Sequence, residues 1–154
     1  MTQATDSTVL QLQRTYPASR ERVFDAWTNP EVMRIWYTAG PTWSTPVAES
    51  DLRVGGAYRV SMQDPDSGEI HSAGGKYTEV DRPSKVAFTW AWETPSASTE
   101  VGTASLVTLE FREADGATTV VLTHSGLADA KDRDSHGHGW NGCLDNLGTR
   151  VFTS

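Results

Sequence analysis

The chain has 154 residues, enough for one domain with a hydrophobic core, and its 37% hydrophobic and 21% charged composition argues against wholesale disorder. Thirteen Lys and Arg against twenty Asp and Glu give a net charge of −7, which repels phosphate backbones and argues against a nucleic-acid partner. A single cysteine, Cys143, excludes an internal disulfide, and no apolar run approaches a membrane span. We therefore expect one cytoplasmic domain over residues 1–154, not bound to a membrane, with residues 1–7 as a flexible N-terminus.

The first part of the chain predicts one strand followed by two short helices. Residues 9–16 alternate apolar and polar side chains before Pro17, a pattern typical of a half-buried strand. Ser19 is a candidate N-cap for a helix that Asn29-Pro30 breaks, and Trp27 within it is assigned to the core. Pro30 suits the first turn of a second helix. The apolar residues of that helix recur at three- and four-residue spacings and predict a buried face: Val32, Met33, Ile35 and Trp36.

The middle of the chain predicts an antiparallel meander. Residues 39–46 are rich in Gly and Pro and are predicted to be loop, although they contain Trp43, a large ring that needs something to pack against. From Pro46 onward the signals turn to strand, and period-two alternation and turn sequences predict further strands near residues 58–63, 69–80 and 85–93.

The strand predicted at residues 85–93 carries the densest aromatic pattern of the chain. Val86, Phe88, Trp90 and Trp92 occupy every second position and therefore share one face. Two indoles and a phenyl ring on one face either fill a dense core or line a cavity that holds a small molecule. Both interpretations stay open at this point.

The last third predicts a hairpin and a closing helix. After a polar loop at residues 94–103, two alternating segments near residues 106–112 and 118–125 flank an Asp115-Gly116 turn. Residues 129–152 then predict a long helix. It contains several glycines, each of which costs about 1 kcal/mol relative to Ala, and these suggest a close approach of another backbone or a frayed first turn.

The four histidines raise the question of a metal site. His136 and His138 are two residues apart, so on a helix they point roughly 200° from one another, and no Cys or carboxylate stands at a familiar ligand spacing. We predict neither a metal nor another cofactor, and a solvated helix start for these two residues.

His124 and His71 are the candidate polar groups of an interior site. His124 shares a face with Leu122, where its imidazole would orient a ligand or relay a proton, or simply be satisfied by a backbone carbonyl. His71 shares the parity of Tyr77 and would line the same space if no bulge shifts the register. Glu93 falls by parity on the opposite face, with solvent as its expected partner.

Short motifs spread over almost the whole chain carry a family resemblance: residues 16–27 (YPASRERVFDAW), 51–59 (DLRVGGAYR), 64–68 (DPDSG), 75–80 (GKYTEV), 86–90 (VAFTW), 122–127 (LTHSGL) and 139–144 (GWNGCL). In their order and spacing the chain resembles the SRPBCC superfamily, also called START or Bet v-like. Within it, the chain is similar to bacterial homologues of the activator of a heat-shock-protein ATPase.

The resemblance implies an α+β helix-grip fold. In that fold a curved antiparallel sheet of about seven strands wraps around a long C-terminal helix, with two short helices between the first and second strands. It also implies a mostly apolar cavity, which in related proteins holds lipids, hormones or polyketides. One fold hosts many functions, so neither a ligand nor a catalytic residue follows from it.

Three functions stay open. The first is a small-molecule binding protein, monomer or homodimer, with an apolar or aromatic ligand. The second is a cofactor-free cyclase or hydrolase using His124 or His71, although no nucleophile–base pair supports it. The third is a co-chaperone that stimulates a heat-shock ATPase. For the first, we predict five indoles around one volume and these ligand contacts: Trp36, Trp43, Tyr58, Val60, His71, Tyr77, Phe88, Trp90, Trp92, Leu109, His124, Trp140 and Leu144.

Overall fold

The computed structural model describes residues 9–93, 105–127 and 129–152. The expected flexible N-terminus and the polar loop at residues 94–103 lie outside these ranges. The elements follow the order β1 (Leu10–Tyr16), α1 (Arg20–Thr28), α2 (Pro30–Trp36), β2 (Ser44–Ser50), β3 (Ala57–Gln63), β4 (Ile70–Asp81), β5 (Lys85–Trp92), β6 (Ser105–Ala114), β7 (Ala117–Ser125) and α3 (Ala130–Arg150).

All seven strands form one sheet, in which every neighbouring pair is antiparallel. The strand order is β1-β7-β6-β5-β4-β3-β2, so the first two strands of the sequence are the two edges. The helices α1 and α2 make the connection between these edges, and α3 returns across the sheet. This is the predicted helix-grip architecture, with the predicted number of strands.

Local sequence signals set the boundaries of the short helices. The Ser19 side chain caps α1 by accepting a hydrogen bond from the backbone N–H of Arg22, as predicted. Asn29 ends α1 and also caps α2, where its side chain accepts from the N–H of Glu31, and Pro30 occupies the first turn.

Two details of this region differ from the sequence prediction. Ile35 is 49% exposed rather than part of the buried face of α2, because a seven-residue helix can turn only a narrow stripe inward. Strand β2 begins at Ser44, inside the segment predicted to be loop, and an irregularity between Ser44 and Val47 interrupts its pairing with β3. The Gly and Pro content concealed this strand start.

The core lies between the inner face of the sheet and the three helices. Phe24 of α1 meets Phe111 of β6 edge to face at 5.4 Å, and Trp27, which is 2% exposed, packs against Trp36 at 4.5 Å. The assignment of Trp27 to the core is therefore confirmed. The Tyr16 hydroxyl donates to the Leu144 carbonyl at 2.8 Å and ties β1 to α3.

A close approach between α3 and the α2–β2 connection explains one of the glycines in α3. A Cβ on Gly142 would overlap the carbonyl oxygen of Ala39, so only glycine allows the helix to pass there. At Gly139, one turn earlier, a Cβ would meet only the Ala39 methyl, at 4.0 Å. The two glycines therefore have different roles, and the space beside Gly139 is the start of a cleft.

Candidate ligand-binding cleft

A cleft of about 90 Å³, partly open to solvent, lies between α3 and the inner face of the sheet. Helix α3 supplies one wall from successive turns, strands β3 and β5 supply the other, and the α2–β2 connection closes one side. The lining residues are Ala39, Met62, Trp90, Trp92, Ser135, His136, Gly139, Trp140 and Cys143.

The helical wall follows from the sequence period. His136, Gly139, Trp140 and Cys143 are spaced by three and four residues, so they form one stripe along α3 that faces the sheet. Gly139 contributes no side chain in the middle of that stripe, and the missing side chain leaves the space that the flanking residues enclose. The absence of a side chain at Gly139 therefore contributes to the open space of the cleft.

Indole rings form the opposite wall. Trp90 is 3% exposed and packs against Trp140 of α3 with 5.0 Å between ring centroids. Trp92 meets Trp90 edge to face at 5.4 Å and is half-buried. Among the described residues, the Trp90 Nε1–H finds no hydrogen-bond partner although it is buried. Such an unpaired donor costs about 1–3 kcal/mol, and the buried indole N–H of the core residue Trp27 is unpaired in the same way.

The size of the cleft limits what it admits. A dry cavity of roughly 150 Å³ can enclose a benzene ring, whereas drug-sized ligands occupy roughly 300–1,000 Å³. At about 90 Å³, this cleft accommodates part of a single ring, with the rest of the molecule projecting through the mouth. A fully enclosed lipid or polyketide does not fit this conformation.

His124 lies just behind the cleft in a fully satisfied network. Its Nδ1 accepts a hydrogen bond from the Trp140 indole at 3.0 Å, and its Nε2 lies 2.6 Å from the Ser105 hydroxyl. Because an indole N–H can only donate, Nδ1 carries the lone pair and Nε2 carries the proton. Ser105 in turn donates to the Trp90 carbonyl at 3.2 Å. Side chains, rather than the expected backbone carbonyl, satisfy this histidine.

Burial keeps the His124 ring neutral. Desolvation, with a smaller contribution from the nearby His136, lowers the pKa of His124 to about 3, although Asp132 acts in the opposite direction. Both ring nitrogens are held by structural partners, so the ring has no free position for moving a substrate proton. The geometry therefore gives no support to a catalytic role for His124.

His136 corrects the prediction of a solvated helix start. It is 8% exposed and lines the cleft, whereas His138 is exposed as expected. Its Nδ1 lies 2.9 Å from the Asp132 carbonyl oxygen and 3.2 Å from the Asp132 carboxylate, and its ring stands 4.9 Å from that of His124. The spacing of Asp132 and His136, four residues apart on a helix, was a signal that could have identified this pair from the sequence.

The comparisons with known proteins agree with this fold. A family model described as Activator of Hsp90 ATPase homolog 1-like protein matches residues 17–151. The chain belongs to this family. The predicted membership of the SRPBCC superfamily is thereby confirmed. Comparison with curated proteins finds no match.

Several solved structures share the fold. A protein from Chromobacterium violaceum superposes with a TM-score of 0.80 at 24% identity, covering 95% of this chain and 99% of that one. An AHSA1 protein from Silicibacter pomeroyi gives 0.78 at 25% identity, covering 93% and 96%. A Plasmodium falciparum protein described as an HSP90 activator gives 0.67 at 22% identity, covering 92% and 94%.

Within this family fold, three of the five predicted indoles meet at one place. Trp90, Trp92 and Trp140 line the cleft. Trp36 instead donates its indole N–H to the Ala26 carbonyl at 2.9 Å and is fully buried beside α1. Trp43 stacks on His71 with 6.0 Å between centroids. The other two indoles are thus outside the cleft lining.

His71 lies on the predicted face but away from the cleft lining. The β4 irregularity falls between Tyr77 and Glu79, so the register from His71 to Tyr77 is unshifted, and His71 pairs with the cleft residue Met62. It is partly exposed and stacks with Trp43. Neither ring is among the residues that line the cleft.

The remaining predicted residues pack in the core. Tyr58 and Phe88 meet edge to face at 4.9 Å, and Tyr77 lies 5.5 Å from Tyr58. Val60, Leu109 and Leu144 are at most 1% exposed. That any of these residues contacts a ligand stays a prediction.

The ion pair of Glu93 and the raised pKa of Cys143 show what these two side chains do. Glu93 lies on the outer face as predicted, but its partner is Arg59, at 2.8 Å, rather than solvent alone. Burial raises the pKa of the Cys143 thiol to about 12, so this cleft residue is a neutral, apolar wall and not a nucleophile.

Among the described residues, no helix combines the length and apolar character needed to span a bilayer.

Proposed function

We propose that this protein binds a small, largely apolar molecule carrying one ring, held in the cleft between Trp90 and Trp92 of β5 and Trp140 of α3. The observation that supports the proposal is a partly open cleft with three indoles in its walls and a glycine at its centre. Flat aromatic walls favour a planar guest, because ring contacts add about 0.5–1.5 kcal/mol beyond the burial of apolar area.

The affinity of such a guest is limited by its size. A molecule of about seven heavy atoms reaches dissociation constants roughly in the high micromolar to millimolar range. A larger natural ligand would gain affinity by extending beyond Met62 toward His71, which pairs with Met62, and toward Trp43, which stacks on His71. The buried residues Tyr58, Val60, Tyr77, Phe88, Leu109 and Leu144 would contact it only if α3 moved away from the sheet.

Toluene is a suitable probe of the cleft. Titrating it against 15N-labelled protein should shift the indole N–H resonances of Trp90, Trp92 and Trp140 in a saturable way. Gly139→Leu places a side chain in the cleft and should abolish these shifts. His138→Leu adds the same side chain on the exposed neighbouring position and should leave them unchanged. Unsaturable shifts, or equal binding by the Gly139→Leu variant, would refute the proposal.

A co-chaperone role is the second candidate, and the family match favours it. Stimulation of a heat-shock ATPase would use the surface of the domain and would not require an open cleft. The Gly139→Leu variant separates the two roles, since it should retain ATPase stimulation while losing toluene. No change in chaperone ATPase rate on adding the wild-type protein would eliminate this candidate.

A further inference from the structure

The Asp132–His136 pair brings a polar group to an otherwise apolar cleft. Both side chains are almost fully buried, at 5% and 6% exposure, and they are one helical turn apart on α3. The backbone carbonyl of Asp132 lies 2.9 Å from His136 Nδ1, and its carboxylate oxygen lies 3.2 Å from the same nitrogen. One edge of the imidazole is therefore anchored, and the opposite edge, with Nε2, is directed away from that anchor.

The contact with Trp92 identifies the tautomer of His136. The Trp92 indole nitrogen lies 3.3 Å from Nε2 and can only donate, so Nε2 bears the lone pair. The proton is then on Nδ1, where it is donated to Asp132. This arrangement, with an acidic residue behind an imidazole, increases the strength of Nε2 as a hydrogen-bond acceptor.

Trp92 holds this acceptor only weakly. A separation of 3.3 Å is beyond the usual range of 2.7–3.2 Å for such bonds, and the half-buried indole can give its N–H to water instead. A guest that offers a better donor can therefore displace the indole at little cost. A guest that displaced the indole without offering a donor of its own would leave the buried His136 Nε2 without a hydrogen-bond partner.

From this geometry we infer that the cleft recognises a hydroxyl-bearing guest, whose O–H donates to His136 Nε2 in place of the Trp92 indole. The inference rests on the proposed function and specifies the ligand class as a neutral phenol or alcohol rather than a pure hydrocarbon. Among the described residues that line the cleft, none is Lys or Arg. With Asp132 behind the imidazole and a net charge of −7, a carboxylate or phosphate guest is disfavoured.

Phenol and toluene, which share a size and shape and differ in one hydroxyl, test the inference. In the wild-type protein, phenol should shift the His136 Nε2 resonance and move the Trp92 indole resonance toward that of a solvated indole, and toluene should do neither. In His136→Leu, phenol should lose its hydrogen bond while toluene loses none. The dissociation constant of toluene divided by that of phenol should therefore be roughly three- to tenfold lower than in the wild-type protein, the factor expected for one hydrogen bond. His138→Leu should keep the wild-type ratio.

Trp92→Phe provides a second variant that leaves the Asp132–His136 pair intact. It removes the competing indole N–H, so phenol should gain affinity relative to toluene by roughly two- to fivefold. This measurement keeps the test decisive if His136→Leu does not fold.

The outcomes separate the inference from the proposed function. Binding of toluene with no phenol-specific change at His136 and Trp92, or with a ratio unaltered by the variants, overturns the inference and leaves the proposed function standing. Failure of both compounds to bind in a saturable way overturns both. Phenol-specific changes that persist in His136→Leu likewise overturn the inference, because another group would then accept the hydroxyl.

Discussion

The Trp140 indole of α3 donates a hydrogen bond to Nδ1 of His124 on β7, at 3.0 Å, and so joins the long helix to the sheet behind the cleft. On its other side the imidazole is bonded to Ser105, which continues the chain to β5 through the Trp90 carbonyl. Three strands and a helix are thus connected through one neutral ring. This network positions two of the three cleft indoles.

His124→Phe should destabilise the fold by about 2–4 kcal/mol. Phenylalanine preserves the apolar volume but leaves the buried Trp140 N–H without an acceptor, which costs about 1–3 kcal/mol. It also removes the bond to Ser105, at about 1 kcal/mol, although the Ser105 hydroxyl keeps the Trp90 carbonyl as its acceptor. Urea unfolding followed by tryptophan fluorescence measures the change. His138→Phe, on an exposed position, should stay within about 0.5 kcal/mol of wild type. An equally small effect at His124 would contradict the structural role.

The stability of the wild-type protein should fall on acidification because of His124. Its folded-state pKa of about 3 is below the ordinary value of 6.5, so between these limits the unfolded chain binds more protons. The stabilisation of the folded state by neutral His124 is therefore fully present above about pH 6.5. It is lost as the pH falls toward 3, at up to about 1.4 kcal/mol of unfolding free energy per pH unit. The groups that face the ring are His136, at 4.9 Å, and the Asp132 carboxyl.

Urea unfolding at several pH values between 7.5 and 4.5 checks this expectation. Carboxylates elsewhere also titrate in this range, so the informative quantity is the difference between wild type and His124→Phe. That difference should shrink as the pH falls. A difference independent of pH would show that His124 is not the titrating group.

Two glycines one turn apart should respond in opposite directions to alanine. Gly142→Ala forces a methyl group into the Ala39 carbonyl oxygen and should destabilise the fold by about 2 kcal/mol or more, since neither backbone can easily move. In Gly139→Ala the new methyl group makes only a van der Waals contact with the Ala39 methyl, so the variant should stabilise the helix by about 0.5–1 kcal/mol. Thermal unfolding of both variants measures the contrast. A destabilised Gly139→Ala would mean that the cleft is not vacant at that position.

The sequence predicted the topology because each element carries its own local signal. Period-two alternation marked β5, the Ser19 cap and the Asn29-Pro30 break marked the two short helices, and Asp115-Gly116 marked the last hairpin, where both residues adopt positive φ values of 55° and 79°. These signals depend on residues close together in the chain. Strand order then followed from the resemblance to a family.

The candidate site was harder to predict, because its contents depend on contacts between distant residues. Parity placed Trp90 and Trp92 on the inner face, yet it could not show that Trp36 would instead bond to Ala26 beside α1. His136 was assigned to solvent from its pairing with His138, whereas the stripe that it shares with Trp140 buries it. Cavity volume also has no sequence signal, so the sequence left a dense core and a ligand cavity both open, whereas the structure has a narrow cleft of about 90 Å³ beside a packed core.

Arg150→Met should loosen the connection between α2 and β2. The guanidinium donates to the carbonyls of Ile35, Pro41 and Trp43, at 3.1, 2.8 and 3.2 Å, so one side chain caps several backbone groups that no strand satisfies. Methionine keeps the apolar stem without these bonds. We therefore expect the free energy of unfolding to fall by about 1–3 kcal/mol and amide hydrogen exchange over residues 38–43 to become faster.

Arg112→Met is the matched control. Arg112 is exposed, and among the described residues its side chain pairs only with Glu110, so this variant should change neither quantity appreciably. Because Ala39 in this connection lines the cleft, Arg150→Met should also weaken toluene binding. Unchanged exchange over residues 38–43 would show that Asn146, which donates to the Thr38 and Gly40 carbonyls, holds the connection without help from Arg150.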